Sequence, residues 1–301
     1  MKTIKLKKHS IFGLTIFAFI FINLNISLKA IDIEEDGTWT TGLKPIYVGQ
    51  ESYLRDNSVF FGFFDIPTKK RSGRDQGNIA GFSLQYFKPL SSYSSWSIKL
   101  PAYTATSNAT GIKADTNIGN LSGTIKWSKE TLTNTGSFCG YGIAADLFLP
   151  TARQREAGAV AYSTPTQTFL DYSPFTTSIH PRAGIFMGRQ YWFLKSDLGY
   201  AYQYISKDSY AIRGKNRSNF TWQSAASWHL VSFANLNLEY NVLVMGYKNA
   251  DPGTVYRHAL VPSLSGKIGS AAGNLFISIP LDQPSRDIST FAFGLKMGLV
   301  F

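Results

Sequence analysis

The stretch WFLKSDLGYAYQY, Trp192 to Tyr204, has two unlike faces. Trp192, Leu194, Ser196, Leu198, Tyr200, Tyr202 and Tyr204 fall on one. Phe193, Lys195, Asp197, Gly199, Ala201 and Gln203 fall on the other. An extended chain points successive side chains to opposite sides, so a period of two reads as a strand with one large apolar face. Strands of soluble sheets run to about 5–6 residues, whereas a tilted strand crossing a bilayer needs about 9–11. This segment has the membrane length.

The pattern recurs along the chain. Phe220, Trp222, Ala226, Trp228 and Leu230 alternate with Thr221, Gln223, Ser227 and His229. Leu236, Leu238, Tyr240, Val242 and Val244 alternate with Asn237, Glu239 and Asn241. Similar pieces occupy Trp96–Ala102, Asn120–Trp127 and Cys139–Leu149, and the chain ends on FAFGLKMGLVF. About twelve strands follow, near 58–66, 79–88, 95–103, 118–127, 138–149, 178–188, 191–204, 219–230, 236–247, 256–268, 273–281 and 288–301. Connections alternate between short turns and long polar stretches at Pro67–Asn78, Thr104–Asn117, Pro150–Thr177, Ile205–Ser218 and Lys248–Val255. Short turns on one side and long loops on the other describe an outer-membrane barrel.

Closure follows from physics. A sheet with a lipid-facing side cannot leave edge N–H and C=O groups unpaired, so the first strand must pair with the last. Trp96, Trp127, Tyr191, Trp192, Tyr202, Tyr204, Trp222 and Trp228 are read as headgroup-level girdles. A secreted two-sheet sandwich also alternates, but its water-facing side should be rich in charge. Here only 16% of residues are charged, and the thin faces are small as often as charged. The fold expected is therefore all-β: a transmembrane antiparallel barrel over residues 58–301, preceded by a short N-terminal segment.

The start of the chain differs in kind. Lys2, Lys5, Lys7 and Lys8 precede an apolar run from Ile11 to Ile22 and a small residue, Ala30. A basic head, an apolar core too short to span and a small-residue exit describe a signal peptide over 1–30. Residues 31–57 begin acidic, with Asp32, Glu34, Glu35 and Asp36, and are read as periplasmic or lumen-entering. The remainder carries 25 basic against 19 acidic residues, a net +6 spread along the chain, with no basic block for nucleic acid. The single Cys139 cannot form an internal disulfide, and there is no C-x-x-C or H-E-x-x-H motif, so no metal or cofactor is implied.

Strand phase sorts the charges. A charge facing lipid at mid-membrane costs about 2–4 kcal/mol, so Lys99, Lys126, Asp146, Arg182, Lys195, Asp197, His229, Glu239, Lys267 and Lys296 are assigned to the lumen. There they can bias which solutes enter, or pair across the lumen and plug it. Phe148, Phe186 and Phe193 share that phase, as a greasy lining or as filling for a narrow barrel. His229 has Ser227 on its face, but no nucleophile–base–orienter set can be assembled, and no enzyme is expected.

Several segments carry a family resemblance. Gly142–Thr151 (GIAADLFLPT) ends in Leu-Pro-Thr; Asn120–Trp127 precedes it, and Leu260–Leu264 and Phe276–Leu281 come after it, with a terminal Gly-Leu-x-x-Gly-Leu-x-Phe. Over roughly 57–301 the chain resembles the MetA-pathway phenol-degradation family. The resemblance implies a small outer-membrane barrel passing hydrophobic or aromatic compounds, without catalytic residues.

The function expected is a passive channel for small solutes, hydrophobic or aromatic ones included, in a Gram-negative outer membrane. The alternatives are an adhesive or structural barrel using its long loops, and a lipid-modifying enzyme. Expected partners are outer-membrane lipids and lipopolysaccharide, the barrel-assembly machinery and a small-molecule solute. Leu295, Met297, Leu299 and Phe301 would form the last lipid-facing strand and an assembly signal, with Phe301 at the periplasmic rim.

Overall fold

The structure is a computed structural model. It describes residues 57–67, 78–91, 93–106, 116–132, 137–154, 161, 166–189, 191–208, 216–231, 233–246 and 256–301. The expected signal peptide (1–30) and all but the last residue of the 31–57 segment lie outside the described residues.

The strands are β1 (Ser58–Pro67), β2 (Asn78–Pro89), β3 (Ser94–Thr106), β4 (Thr116–Ile118), β5 (Ser122–Leu132), β6 (Phe138–Phe148) and β7 (Thr176–Arg189). They continue as β8 (Trp192–Ile205), β9 (Asn216–Val231), β10 (Ala234–Gly246), β11 (Tyr256–Ile268), β12 (Ala271–Pro280) and β13 (Ala292–Val300). Apart from β4 and β5, strands next to each other in sequence pair antiparallel, and β1 pairs with β13 from Ser58↔Val300 to Asp65↔Phe293, which closes the ring. Strands β4 and β5 lie end to end against β3, so the thirteen strands make a barrel of twelve staves.

The break in that stave has a local cause. Ala102 pairs with Ile118, but Lys99 pairs with Ser122, so Gly119, Asn120 and Leu121 stand against Leu100 and Pro101 alone. The extra residue makes a bulge, and Pro101 has no N–H to offer the ladder. Two other prolines coincide with ladder gaps: Pro181 between β7 and β8, and Pro262 between β11 and β12.

Alternation decides the faces. Ile125, Ile143, Ile185 and Leu299 are 57–67% exposed on the outside, while their chain neighbours turn inward. Such a surface would be a liability in water and is the expected one in hydrocarbon. Aromatic pairs gather near the short-turn rim: Tyr86 with Trp96 at 5.5 Å and Trp127 with Tyr141 at 5.7 Å between centroids. Trp192 lies opposite Trp228 on the same rim, and Tyr200, Tyr202 and Tyr204 approach the other. Trp222 departs from the expected girdle. It sits opposite Leu198 and Val242 in the middle of the wall, where Ser196 Oγ accepts its indole N–H at 3.0 Å.

The inside is layered. Near the long-loop rim an apolar cluster includes Phe64, Ile66, Tyr103, Phe148, Leu243 and Met245. A polar belt crosses the middle. Phe138, Phe186 and Phe193 stack near the short-turn rim, with centroids 5.8–6.5 Å apart. Gly140 and Gly188 make that stack possible, because a Cβ on either would collide with Phe186 or Phe138.

Two connections differ from expectation. The segment after β6, read as an outward polar loop over 150–177, folds into the barrel as two 3₁₀ turns, Thr166–Thr168 and Leu170–Tyr172. Phe169 and Tyr172 are each 1% exposed within the upper apolar cluster, and burying these rings drives the segment inward. The strand expected from 288 begins at Ala292, because a short helix, α1 (Gln283–Ile288), precedes it. Asp282 caps α1 by accepting the Ser285 N–H at 2.9 Å, and a proline stands in its first turn.

Candidate functional site

Among the described residues, buried polar side chains concentrate on the lumen face, and Asp146 is their hub. It sits on β6, with Arg182 and His180 on β7 and Thr124 on β5, all on the inner phase. Arg182 donates Nε to Oδ2 and Nη2 to Oδ1, both at 2.8 Å. His180 Nδ1 lies 3.0 Å from Oδ2, and Thr124 Oγ1 donates to Oδ1 at 2.8 Å. The other ring nitrogen of His180 meets Thr221 Oγ1 at 2.8 Å. A buried carboxylate survives only when paired and hydrogen-bonded, and this one is both.

The inserted segment is fastened to the same belt. Lys99 Nζ reaches Asp171 Oδ2 at 2.6 Å. Asn120, at the bulge in the wall, donates its amide to Leu170 O at 2.9 Å and Ser173 O at 2.6 Å, and its Oδ1 accepts from Ala152 N at 3.2 Å. Tyr172 Oη donates to Ala102 O at 3.3 Å. Gly119 lets the segment approach, since a Cβ there would stand 2.6 Å from Asp171 O. Burial pushes the Asp171 carboxyl above its usual range, against the pull of Lys99. Burial likewise raises the Tyr172 hydroxyl.

The remaining charges assigned to the lumen are placed as follows. Lys195 and Asp197 pair at 2.6 Å on β8, and Lys126 borders the same crevice from β5. Glu239 is fully buried on β10. Lys296 places Nζ 5.0 Å over the Phe60 ring. Lys267 is half-buried near the short-turn rim on β11, and His229 Nδ1 meets Asn235 Oδ1 at 2.9 Å. The three inner phenylalanines do not form one lining. Phe186 and Phe193 belong to the lower stack, whereas Phe148 belongs to the upper cluster. Leu295, Met297, Leu299 and Phe301 point outward, and Phe301 N donates to Asn57 O at 2.8 Å beside β1.

Between the two apolar layers lies a cavity of about 110 Å³. Lys99, Asp146, Asp171, His180, Arg182 and Lys296 border it. Ligand pockets for drug-sized molecules are about 300–1,000 Å³, so this one admits only something small. Among the described residues no group of three or more His, Cys, Asp or Glu side chains is placed to hold a metal ion. Sequence reading missed Asp171, Asn120, Thr221 and Gln223. Strand phase put Thr221 and Gln223 on the thin face without marking them as site residues, Asn120 showed only as the polar residue preceding a strand and following a glycine, and Asp171 left no signal.

A closed antiparallel barrel with an apolar belt outside and a polar, charged lumen is the architecture of an outer-membrane β-barrel. Among solved structures the chain is similar to the COG4313 outer membrane channel from Pseudomonas putida F1, with 11% identity and a TM-score of 0.56, over 82% of this chain and 96% of that one. At that identity the likeness establishes the fold. The transport unit of the autotransporter AIDA-I from Escherichia coli (11% identity, 83% and 91% covered) scores 0.43. The NanC porin (8% identity, 81% and 98% covered) scores 0.47, and neither bears on function. No protein-family model and no curated protein matches the sequence.

Proposed function

We propose that the protein is a channel for small solutes in a Gram-negative outer membrane. The observation that carries this reading is the charged cavity enclosed within a closed barrel and capped by a loop segment rather than by the wall itself. A wall cannot part without breaking its ladder, but a segment held by side-chain bonds, a backbone bond from Asn120 N to Asp171 O and two buried rings can undock as a local unit. The P. putida neighbour is by name an outer membrane channel, and the resemblance to the MetA-pathway phenol-degradation family points the same way. The aromatic stack below the cavity suits hydrophobic or aromatic solutes.

In this reading the lumen charges set which solutes pass, the signal peptide directs export, and the terminal strand addresses the chain to the assembly machinery. The adhesive alternative is less well served, because the longest connection buries Phe169 and Tyr172 rather than displaying them. For the enzymatic alternative, His229 is engaged by Asn235 and not by a nucleophile. Solute-dependent swelling of vesicles carrying the refolded protein tests the proposal. Swelling in small solutes, absent from protein-free vesicles, is the expected result; none for any solute would remove the channel reading.

A further inference from the structure

Three inward residues on three strands form a relay that the channel reading does not use. Asp146 on β6 stands opposite His180 on β7, and Thr221 on β9 stands opposite Gly199 on β8. Arg182 and Thr124 donate to both oxygens of Asp146, which fixes the carboxylate as an acceptor. His180 Nδ1, 3.0 Å from Oδ2, therefore carries a hydrogen and donates it. In the neutral ring Nε2 is then the acceptor, and the Thr221 hydroxyl, 2.8 Å away, donates to it. Gly199 leaves room for that bond, since a Cβ there would collide with both His180 Nε2 and Thr221 Oγ1. A hydroxyl bonded to an imidazole that a buried carboxylate orients is the nucleophile, base and orienter of acyl transfer, a constellation recognised by geometry rather than by sequence position. Sequence spacing could not assemble this set, because the three residues meet only across the barrel wall. Thr221 and His180 both border the cavity of about 110 Å³, and so does Gln223, the next inward residue of β9.

We propose that Thr221 is the nucleophile of a second activity, the hydrolysis of very small esters. His180 is its general base and Asp146 a positioning residue. Thr221 Oγ1 bonds to the ester carbonyl carbon while its proton passes to His180 Nε2. The bond from that carbon to the alkoxide oxygen then breaks, and the alkoxide takes the proton from Nε2 and leaves as the alcohol. Water next bonds to the acyl carbon and gives a proton to Nε2. Thr221 Oγ1 leaves with that proton, and the free acid is released. The Gln223 carboxamide supplies N–H donors for the oxyanion formed at each addition. The cavity sets the size of the substrate. An apolar cavity of about 150 Å³ accepts the six carbons of benzene, so about 110 Å³ holds about four or five heavy atoms. Methyl formate and methyl acetate are that small, whereas aryl esters and long-chain lipids are excluded. The proposal does not rest on the channel reading.

The test uses the detergent-refolded full chain and methanesulfonyl fluoride, a sulfonylating probe as small as methyl acetate. Peptide mapping by mass spectrometry should find one methanesulfonyl group on Thr221, the Oγ1–S bond having replaced the S–F bond with release of fluoride. His180→Gln should slow this labelling at least about a hundredfold, as loss of a general base does. Thr221→Val should abolish it and Thr221→Ser should keep it. Acetate release from methyl acetate, followed by proton NMR, should occur in the wild type and in Thr221→Ser and vanish in Thr221→Val. An unlabelled Thr221, a labelling rate unchanged in His180→Gln, or labelling without acetate release would each overturn the proposal. Should His180→Gln or Thr221→Val fail to fold, the position of the wild-type label and its slowing by excess methyl acetate decide it. Vesicle flux is read separately, so a silent channel leaves this inference standing and an inert Thr221 leaves the channel standing.

Discussion

Asn120→Ala should free the inserted segment while leaving the barrel standing. Asn120 is fully buried, and its side chain makes three hydrogen bonds, two donated to Leu170 O and Ser173 O and one accepted from Ala152 N; its backbone N–H, which donates to Asp171 O, is kept in the variant. Each is worth about 1 kcal/mol net, and each partner left buried without a substitute costs more. A loss of about 3 kcal/mol shifts the docked-to-undocked equilibrium roughly a hundredfold. None of the three bonds joins neighbouring strands, so the ladder is spared. Chymotrypsin gives the readout, because Phe169, Leu170 and Tyr172 are buried cleavage sites reached only when the segment undocks. With cleavage slower than reclosing, the rate tracks the open population, so it should rise roughly a hundredfold. The heat-dependent gel mobility of the intact barrel should not change. A cleavage rate equal to wild type in an intact barrel would refute the idea that Asn120 fastens the segment.

Further outcomes follow from other contacts. Arg182→Met strips Asp146 of its two guanidinium bonds and should lower folding stability by about 3–5 kcal/mol, read as a fall in the urea midpoint. Adding Asp146→Asn to it should recover part of that loss, since the buried charge goes too. Asp171 has its carboxyl raised by burial and faces Lys99 and the more distant Asp146, so its docked form holds a proton more readily than its free form. Docking should therefore strengthen as pH falls through the raised value and weaken above it, seen as slower cleavage on acidification once normalised to an unfolded substrate, and Asp171→Asn should flatten the profile. Phe175 adopts φ 54°, a strained conformation for an aromatic residue, where the segment rejoins β7. Phe175→Gly should relieve about 1 kcal/mol of backbone strain, offset by loss of the Lys207 contact 5.5 Å above the ring, and leave barrel stability nearly unchanged. Removing Phe301 should reduce the fraction of chain assembled into the outer membrane, measured as heat-modifiable protein, while the shortened chain still folds in detergent.

The wall was legible in the sequence because lipid imposes a strict rule on it. Trp192–Tyr204 alone showed the period, the length and the solvent, and the observed β8 differs from that reading by a residue at one end. The phase of each strand placed Asp146, Lys195 and Glu239 without knowledge of neighbours. Phase gives the face and not the height, however. Phe148 and Phe186 share a phase, yet Phe148 pairs with Ser178 near the long loops and Phe186 with Gly140 near the short turns. Their separation into two layers depends on register, which no single strand carries. The inserted segment was less legible still. Phe169, Leu170 and Tyr172 sit among polar residues with no period, and their burial depends on a lumen built by twelve other segments. Asn120 looked like one more thin-face residue of a strand. Its role appears only where the bulge opposite Pro101 turns it toward the segment.

The central claim is that the enclosed cavity is part of a conducting path closed by the segment around Leu170–Tyr172. Planar-bilayer recording of the wild type beside Asn120→Ala tests it most directly. Infrequent small conductance steps in the wild type, with open time increased many-fold in Asn120→Ala, are the predicted result. An electrically silent barrel in both proteins, each shown to be folded and inserted, would contradict it.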